Sequence, residues 1–152
     1  MGIIRGNVNF KYSEKVRTRM QSFFGGKKKF IKEIKVYQPD LIGFSCMNAQ
    51  VKEVINIAGY LKRNGVDVPI ILGGIYPTLY PEILRCKTID YISRGESEYT
   101  LFKLMSVLGE KRPNLRGILG LGYKEDGQII ENPHKAFYRL FFLLYRQPCC
   151  VL

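Results

Sequence analysis

Hydrophobic positions along the chain form short continuous runs that alternate with stretches of helical period. Leu41–Phe44 and Val68–Leu72 are apolar without alternation, which is typical of strands buried on both faces of a sheet. A third, shorter strand is predicted at Tyr91–Ser93. Because each strand is followed by a helical pattern, the strands are expected to be parallel and joined by right-handed crossovers.

Four helical stretches are predicted around these strands. They are Lys28–Tyr37, a stretch bearing Val51, Val54, Ile55, Ala58 and Leu61, a short stretch at Pro81–Arg85, and a stretch bearing Leu101, Leu104, Met105 and Leu108. Gln38-Pro39 ends the first, because a residue before proline avoids the α region, and Gly65 is placed to end the second. The predicted fold class is α/β, a Rossmann-like (flavodoxin-like) open parallel sheet with helices on both faces.

The hydrophobic period changes after residue 117. Ile118–Lys124 and Gln128–Glu131 flank Glu125-Asp126-Gly127, and Asp-Gly between extended runs is a strong hairpin signal. The sequence therefore predicts a C-terminal antiparallel hairpin, followed by a linker at Asn132-Pro133. The predicted organisation is a poorly patterned basic segment at 1–27, an α/β domain at 28–117, a hairpin or connector at 118–133 and an atypical apolar tail at 134–152.

The N-terminal part of the predicted sheet is short of strands. Only Gly2–Asn9 offers an extended run before Leu41, and it is at most one poor strand. A parallel sheet that lacks an inner strand is expected to leave backbone groups unpaired, which is costly in a buried setting.

Charge is concentrated at the start of the chain. The net charge is +11, and residues 1–36 hold ten Lys or Arg against two acids. The lysines at 27–29, with Lys32 and Lys35, could follow a phosphate backbone, but a solvated helix face is the favoured interpretation, so nucleic acid is an unfavoured partner. The alternative function is a non-enzymatic flavodoxin-like interaction domain that binds nucleic acid or an acidic partner through the basic segment.

The sequence lacks the residues that several function classes require. No apolar run reaches the ~18 residues of a membrane span, and no secretory signal is present, so a cytoplasmic location without a membrane span is expected. Cys46, Cys86, Cys149 and Cys150 form no C-x-x-C pair and His134 is the only histidine, so reduced structural thiols and no zinc site are predicted. Phosphate-binding glycine motifs and nucleophile-base pairs are also absent, so no catalytic residue is predicted.

Each predicted strand ends abruptly in small or polar residues. Because the carboxyl ends of parallel strands share one edge of the sheet, polar groups after the strands are expected to gather on one rim. These groups are Ser45, Thr78, Arg94 and Glu96. At Gly73-Gly74 the missing Cβ lets another backbone or a ligand come close, and a ligand loop is the favoured interpretation.

Three motifs carry a resemblance to a known family. P-D-L-I-G-F-S at 39–45, P-I-I-L-G-G-I-Y-P-T at 69–78 and D-Y-I-S-R-G-E-S-E at 90–98 resemble the cobalamin-binding domain that precedes the radical S-adenosylmethionine domain in cobalamin-dependent radical enzymes. The hairpin at 122–133 resembles the segment that joins the two domains. The resemblance implies cofactor-binding residues in three loops: Ser45, Cys46 and Met47; Gly73, Gly74, Ile75, Tyr76, Pro77 and Thr78; and Arg94, Gly95 and Glu96.

The resemblance also implies a function. The chain is expected to be a cobalamin (corrinoid) binding module, and a truncated part of a cobalamin-dependent radical enzyme such as a methyltransferase. Cobalamin is expected without a protein His ligand, because D-x-H-x-x-G is absent. C-x-x-x-C-x-x-C is absent too, so the iron-sulfur cluster and S-adenosylmethionine are expected only in a full-length relative, and this chain alone is expected to catalyse nothing. A radical S-adenosylmethionine domain or protein is the implied partner.

Overall fold

A computed structural model of the protein describes residues 26–110 and 112–133 and the backbone of residues 2–4. The elements are β1 (Gly2–Ile4), α1 (Gly26–Tyr37), β2 (Leu41–Ser45), α2 (Val51–Arg63), β3 (Ile70–Gly73), α3 (Ile75–Leu79), β4 (Tyr91–Ser93), α4 (Ser97–Val107), β5 (Leu121–Glu125) and β6 (Gln128–Glu131). Short 3-10 turns lie at Asn48–Gln50 and Pro81–Arg85. The predicted basic segment at 1–27 and apolar tail at 134–152 lie outside the described residues, except for residues 2–4, 26 and 27.

The described strands form one six-stranded sheet in the order β1-β2-β3-β4-β5-β6. β2, β3 and β4 are parallel, with Phe44 opposite Leu72 and Leu72 opposite Ile92, so their carboxyl ends share one edge. β5 is antiparallel to β4, and β6 completes the hairpin. The predicted α/β class, parallel sheet and C-terminal hairpin are confirmed.

β1 pairs with β2 at the first edge of the sheet, which the sequence does not predict. It runs antiparallel along β2, with Ile3 opposite Ile42. Backbone groups of β2 that were expected to remain unpaired therefore find a partner in three residues from the start of the chain. The expectation that a missing inner strand leaves backbone groups unpaired is wrong for this edge of β2. An antiparallel strand can pair with the edge without a crossover helix.

Both faces of the sheet are covered, which explains the continuous apolar runs. One face packs against α1 and α2, in a core of Phe30, Ile34, Ile42, Phe44, Val54, Ile57, Ala58, Leu61, Ile70, Leu72 and Ile92. The other packs against α4, in a core of Leu41, Ile71, Leu104, Met105, Ile118, Leu121 and Tyr123. Neighbours such as Ile71 and Leu72 point to opposite faces, and both are buried.

The ends of the elements follow the predicted local signals. The amides of Gly65 and Val66 donate to the carbonyls of Lys62 and Leu61, at 3.2 and 3.1 Å, respectively. This pair of hydrogen bonds is that of a Schellman cap at the end of α2. Asp126 and Gly127 both have positive φ, +50° and +79°, as a two-residue type I′ hairpin turn requires. None of the helices in the described part of the chain is long and apolar enough to cross a membrane.

Asn132, which the sequence places at the start of a linker, is buried. Its Nδ2 donates to the carbonyls of Leu115 and Ile118 at 2.6 and 2.9 Å, and its backbone amide donates to Leu121 at 2.9 Å. The side chain therefore ties the turn before β5 to the residue that follows β6.

Candidate functional site at the carboxyl edge of the sheet

Three loops begin at the carboxyl ends of the parallel strands, and together they form what we call the rim: residues 45–47 from the end of β2, residues 73–78 from the end of β3 into α3, and residues 94–96 after β4. The first two loops are joined through Cys46. Its backbone amide donates to the Gly73 carbonyl at 2.8 Å, and its carbonyl accepts from the Tyr76 amide at 3.1 Å. These main-chain bonds hold the end of β2 against the start of α3.

Thr78 joins the second loop to the third. Its Oγ1 donates to the Gly74 carbonyl at 2.8 Å and accepts from the Gly95 amide at 2.9 Å. Ser45 lies on the same edge, because its Oγ is 3.3 Å from the place that a Cβ on Gly74 would occupy. The structure therefore places Ser45 and Thr78, two of the four polar groups expected on one rim, close to Gly74 and Gly95.

Packing within the protein favours glycine at position 74 and leaves little space for a side chain at position 73. Gly74 has φ +99° and ψ −167°, a conformation that is essentially restricted to glycine. A Cβ on Gly74 would lie 3.0 Å from the Cys46 carbonyl oxygen, and a Cβ on Gly73 would lie 3.0 Å from Ser97 Oγ. Close approach at this pair is confirmed for backbone and side chain, while approach of a ligand stays a prediction.

The segment Ile75–Thr78, interpreted from the sequence as a continuing loop, is helical. It lies in α3, which spans Ile75–Leu79. Pro77 is tolerated there because it sits in the first turn, where the backbone amides have no partner within the helix. The loop interpretation was therefore wrong for these residues, since proline and two tyrosines concealed a helix of little more than one turn.

Side chains of the rim differ sharply in exposure. Ser45 and Glu96 are exposed, and so are the apolar side chains of Met47 and Ile75, with 55% and 58% of their surface accessible. Cys46, Pro77 and Thr78 are buried, and the remaining predicted site residues are half-buried. The rim thus presents one hydroxyl, one carboxylate and two large apolar groups to solvent, beside glycine backbone.

Arg94 is held by the hairpin. Its guanidinium donates to the carboxylate of Glu131 in β6, and its backbone amide donates to the Gly120 carbonyl at 2.9 Å. Sequence reasoning missed both partners, because they lie 26 or more positions away, and it also passed over Ser97 although that residue is part of the third motif. The role of Arg94 as a cofactor contact stays a prediction.

Two ionisable groups in the rim, the Cys46 thiol and the Tyr76 hydroxyl, favour their neutral forms. Burial raises the pKa of the Cys46 thiol, whose Sγ donates to the Met47 carbonyl at 3.5 Å. Burial also raises the pKa of Tyr76, and the charges of Glu82 and Cys46 raise it further. Among the described residues, no group of three His, Cys, Asp or Glu side chains could hold a metal ion.

Cys46 is expected to resist alkylation in the folded protein. It is fully buried and its raised pKa disfavours the reactive thiolate. Iodoacetamide at pH 7.5 should therefore modify the Cys46 peptide more than about tenfold more slowly in buffer than in 8 M urea. Mass spectrometry of quenched time points measures both rates, and equal rates would show that the thiol is accessible.

Comparisons with known proteins identify the family to which this chain belongs. A family model described as the B12 binding domain matches residues 14–104. An uncharacterised methyltransferase from Pyrococcus horikoshii is 35% identical over 104 residues, covering 67% of this chain and 22% of the relative. An anaerobic magnesium-protoporphyrin IX monomethyl ester cyclase from Synechocystis is 33% identical over 93 residues, covering 60% and 18%. The chain thus spans about a fifth of the length of these relatives.

Two solved structures share the fold. The cobalamin-dependent S-adenosylmethionine radical enzyme OxsB, with aqua-cobalamin bound, superposes with a TM-score of 0.62 at 28% identity, over 74% of this chain and 16% of that one. The radical S-adenosylmethionine methyltransferase TsrM from Kitasatospora setae, with cobalamin and a [4Fe-4S] cluster bound, gives a TM-score of 0.62 at 24% identity, over 72% and 21%. The family match covers more than half of the chain, so this protein belongs to the B12-binding domain family and the resemblance of its three motifs is confirmed.

Proposed function

We propose that the rim is the surface on which this B12-binding domain holds cobalamin, with the nucleotide tail of the cofactor lying against the backbone of Gly73 and Gly74. The observation that carries the proposal is the joining of three loops at the carboxyl edge of β2, β3 and β4. Open α/β sheets bind ligands at this edge. The family match and the cobalamin present in the OxsB and TsrM structures support the choice of ligand.

The residues of the rim fit a large cofactor that is partly apolar and partly polar. Met47 and Ile75 expose more than half of their surface, and covering apolar surface is favourable by about 25 cal/mol per Å². The exposed Ser45 hydroxyl can donate and accept hydrogen bonds, and glycine backbone allows close approach. Aliphatic surface beside a few polar groups is the usual lining of a cofactor site.

The predicted site residues divide into two roles. Those exposed or half-buried are proposed to contact the cofactor: Ser45, Met47, Gly73, Gly74, Ile75, Tyr76, Arg94, Gly95 and Glu96. Cys46, Pro77 and Thr78 are buried, and we assign them to shaping the loops. No D-x-H-x-x-G motif supplies a lower cobalt ligand, so binding without a protein His ligand is proposed. Cobalamin supplies the reactive cobalt, while these residues bind and orient it.

The wider activity is proposed from the relatives. The printed sequence contains no C-x-x-x-C-x-x-C, so a radical S-adenosylmethionine domain or a separate protein would supply the iron-sulfur cluster and bind S-adenosylmethionine. A methyltransferase is the proposed parent activity, because the Pyrococcus horikoshii relative and TsrM are described as methyltransferases. A cytoplasmic location stays a prediction.

Uptake of hydroxocobalamin by the full 152-residue chain tests the proposed site. The protein is mixed with excess hydroxocobalamin and separated from free cofactor by gel filtration, and the corrin absorbance of the protein peak is recorded. Ile75→Asp places a charge on the rim at an exposed position, and Val36→Asp makes the same kind of change on α1, where the side chain is 85% exposed. Ile75→Asp is expected to raise the Kd for hydroxocobalamin at least about tenfold, and Val36→Asp is expected to leave the Kd unchanged.

Three outcomes would count against the proposal. A wild-type protein peak without corrin absorbance at tens of micromolar protein would exclude useful binding. An equal loss of hydroxocobalamin affinity in Ile75→Asp and Val36→Asp would show that the effect of the charge does not depend on its position. Wild-type affinity in Ile75→Asp would place the cofactor away from the rim.

A further inference from the structure

Thr78 connects parts of the rim that the sheet itself does not connect. Pairing between β3 and β4 is limited to Ile71 with Tyr91 and Leu72 with Ile92, so it ends before the two loops begin. Beyond that point the Thr78 hydroxyl bridges the Gly74 carbonyl and the Gly95 amide, at 2.8 and 2.9 Å. The two backbone groups are thereby held within two hydrogen-bond lengths of each other.

The hydroxyl of Thr78 is already occupied by the protein. A hydroxyl has one proton to donate and two lone pairs. The proton goes to Gly74, one lone pair accepts from Gly95, and only 9% of the residue is exposed. Thr78 therefore has little capacity for a direct contact with a bound molecule.

The attachment of the third loop differs in kind from that of the first. The first and second loops are joined by main-chain bonds through Cys46, which no side-chain substitution removes. The Gly95 bond depends on one side-chain oxygen, so a single substitution can release it while β2, β3 and β4 stay intact.

We propose that Thr78 is a positioning residue for the cofactor site, where it sets the spacing between Gly74 and Gly95 without touching the cofactor. This inference rests on the proposed function, because it concerns the same rim. Without the Thr78 bond Gly95 gains conformations that must be lost again on binding, so affinity falls although every cofactor-facing side chain is still present and Arg94 is still held by Gly120 and Glu131.

Three variants test the positioning role. Thr78→Val removes the hydroxyl with little change of shape, and Thr78→Ser keeps the hydroxyl and removes a methyl group. Thr100→Val is the matched control, because the buried Thr100 Oγ1 also donates to a carbonyl, that of Leu119, at 2.8 Å. Hydroxocobalamin affinity is measured by absorbance titration, and hydrogen exchange of the Gly95 amide is measured by NMR on the cofactor-free protein.

Thr78→Val is expected to raise the Kd for hydroxocobalamin about tenfold and to speed hydrogen exchange of the Gly95 amide by a similar factor. Thr78→Ser should restore both values to within about twofold of wild type, since the bridge is kept. Thr100→Val is expected to lower the thermal midpoint and leave the Kd unchanged.

Several outcomes overturn the inference. Uptake by wild type together with unchanged affinity in Thr78→Val defeats the positioning role alone, whereas absence of uptake by wild type defeats the proposed function as well. If Thr78→Val does not fold, Thr78→Ser and the exchange rate of Gly95 in wild type still decide. A folded Thr78→Ser with weak binding, or a Gly95 amide that exchanges as fast as an open loop, contradicts the bridge.

Discussion

Replacing Gly74 with alanine is expected to abolish retention of hydroxocobalamin and to destabilise the domain. The backbone conformation at Gly74 costs a residue with a Cβ about 1–3 kcal/mol. The new Cβ would also lie 3.0 Å from the Cys46 carbonyl oxygen and 3.2 Å from the Cys46 amide nitrogen, so the first two loops of the rim must move apart by a few tenths of an ångström. Thermal denaturation should show a midpoint lower by about 5–10 °C, and gel filtration should show a protein peak without corrin absorbance.

Gly127→Ala is the matched control for Gly74→Ala. Gly127 also has positive φ, +79°, but a Cβ there meets nothing within 4 Å, and it lies in the hairpin turn between β5 and β6. This variant should lose about 1 kcal/mol of stability and retain cofactor as wild type does. Full retention by Gly74→Ala would show that cobalamin does not depend on this part of the rim.

Asn132→Asp is expected to destabilise the domain by about 3–5 kcal/mol at pH 7, because it buries a charge without a partner. The Nδ2 of Asn132 donates to two carbonyls, and an ionised carboxylate would instead face them with two acceptors. The pKa of the new carboxyl would be raised in the folded state, so the folded chain binds more protons than the unfolded chain. Stability should therefore fall as the pH rises above about 4.

Urea denaturation of Asn132→Asp at pH 4 and pH 7 checks this direction. Asn64→Asp is the control, because the Nδ2 of Asn64 also donates to a carbonyl, that of Tyr60 at 2.7 Å, but the residue is exposed at the end of α2. Its cost should stay below about 1 kcal/mol with little dependence on pH, since water solvates the new charge. A similar loss in both variants would mean that Asn132 is not buried as described.

Local sequence patterns predict the buried strands and the hairpin turn, because these elements depend on residues that are close in the sequence. The runs at Leu41–Phe44 and Val68–Leu72 indicate strands covered on both faces, and the structure places a helical layer on each side. Asp126-Gly127 predicts its turn because few other residue pairs accept positive φ twice. The meeting of the three loops follows from parallel topology alone, since parallel strands end on the same edge.

What sequence reasoning missed depends on contacts between distant residues or on very short elements. The pairing of Arg94 with Glu131 and the burial of Asn132 arise from the way the hairpin folds back on β4, which no local pattern encodes. The sequence offers at most one poor strand at Gly2–Asn9, and the three residues of β1 are too few to predict its antiparallel pairing with β2. α3 has five residues, too few for a stable isolated helix, and hydrogen bonds link it to Cys46 and Gly95 outside the helix.

The order of the strands also bears on how copies of this domain behave toward one another at high concentration. In the part of the chain that the structure describes, the outermost strands of the sheet are β1, with three residues, and β6, with four. Exposed strand edges act as templates for intermolecular pairing, and short or charged edges discourage it. Both edge strands are therefore short, and the apolar central strands β2, β3 and β4 are shielded from β-sheet aggregation because the edges offer few backbone groups for pairing.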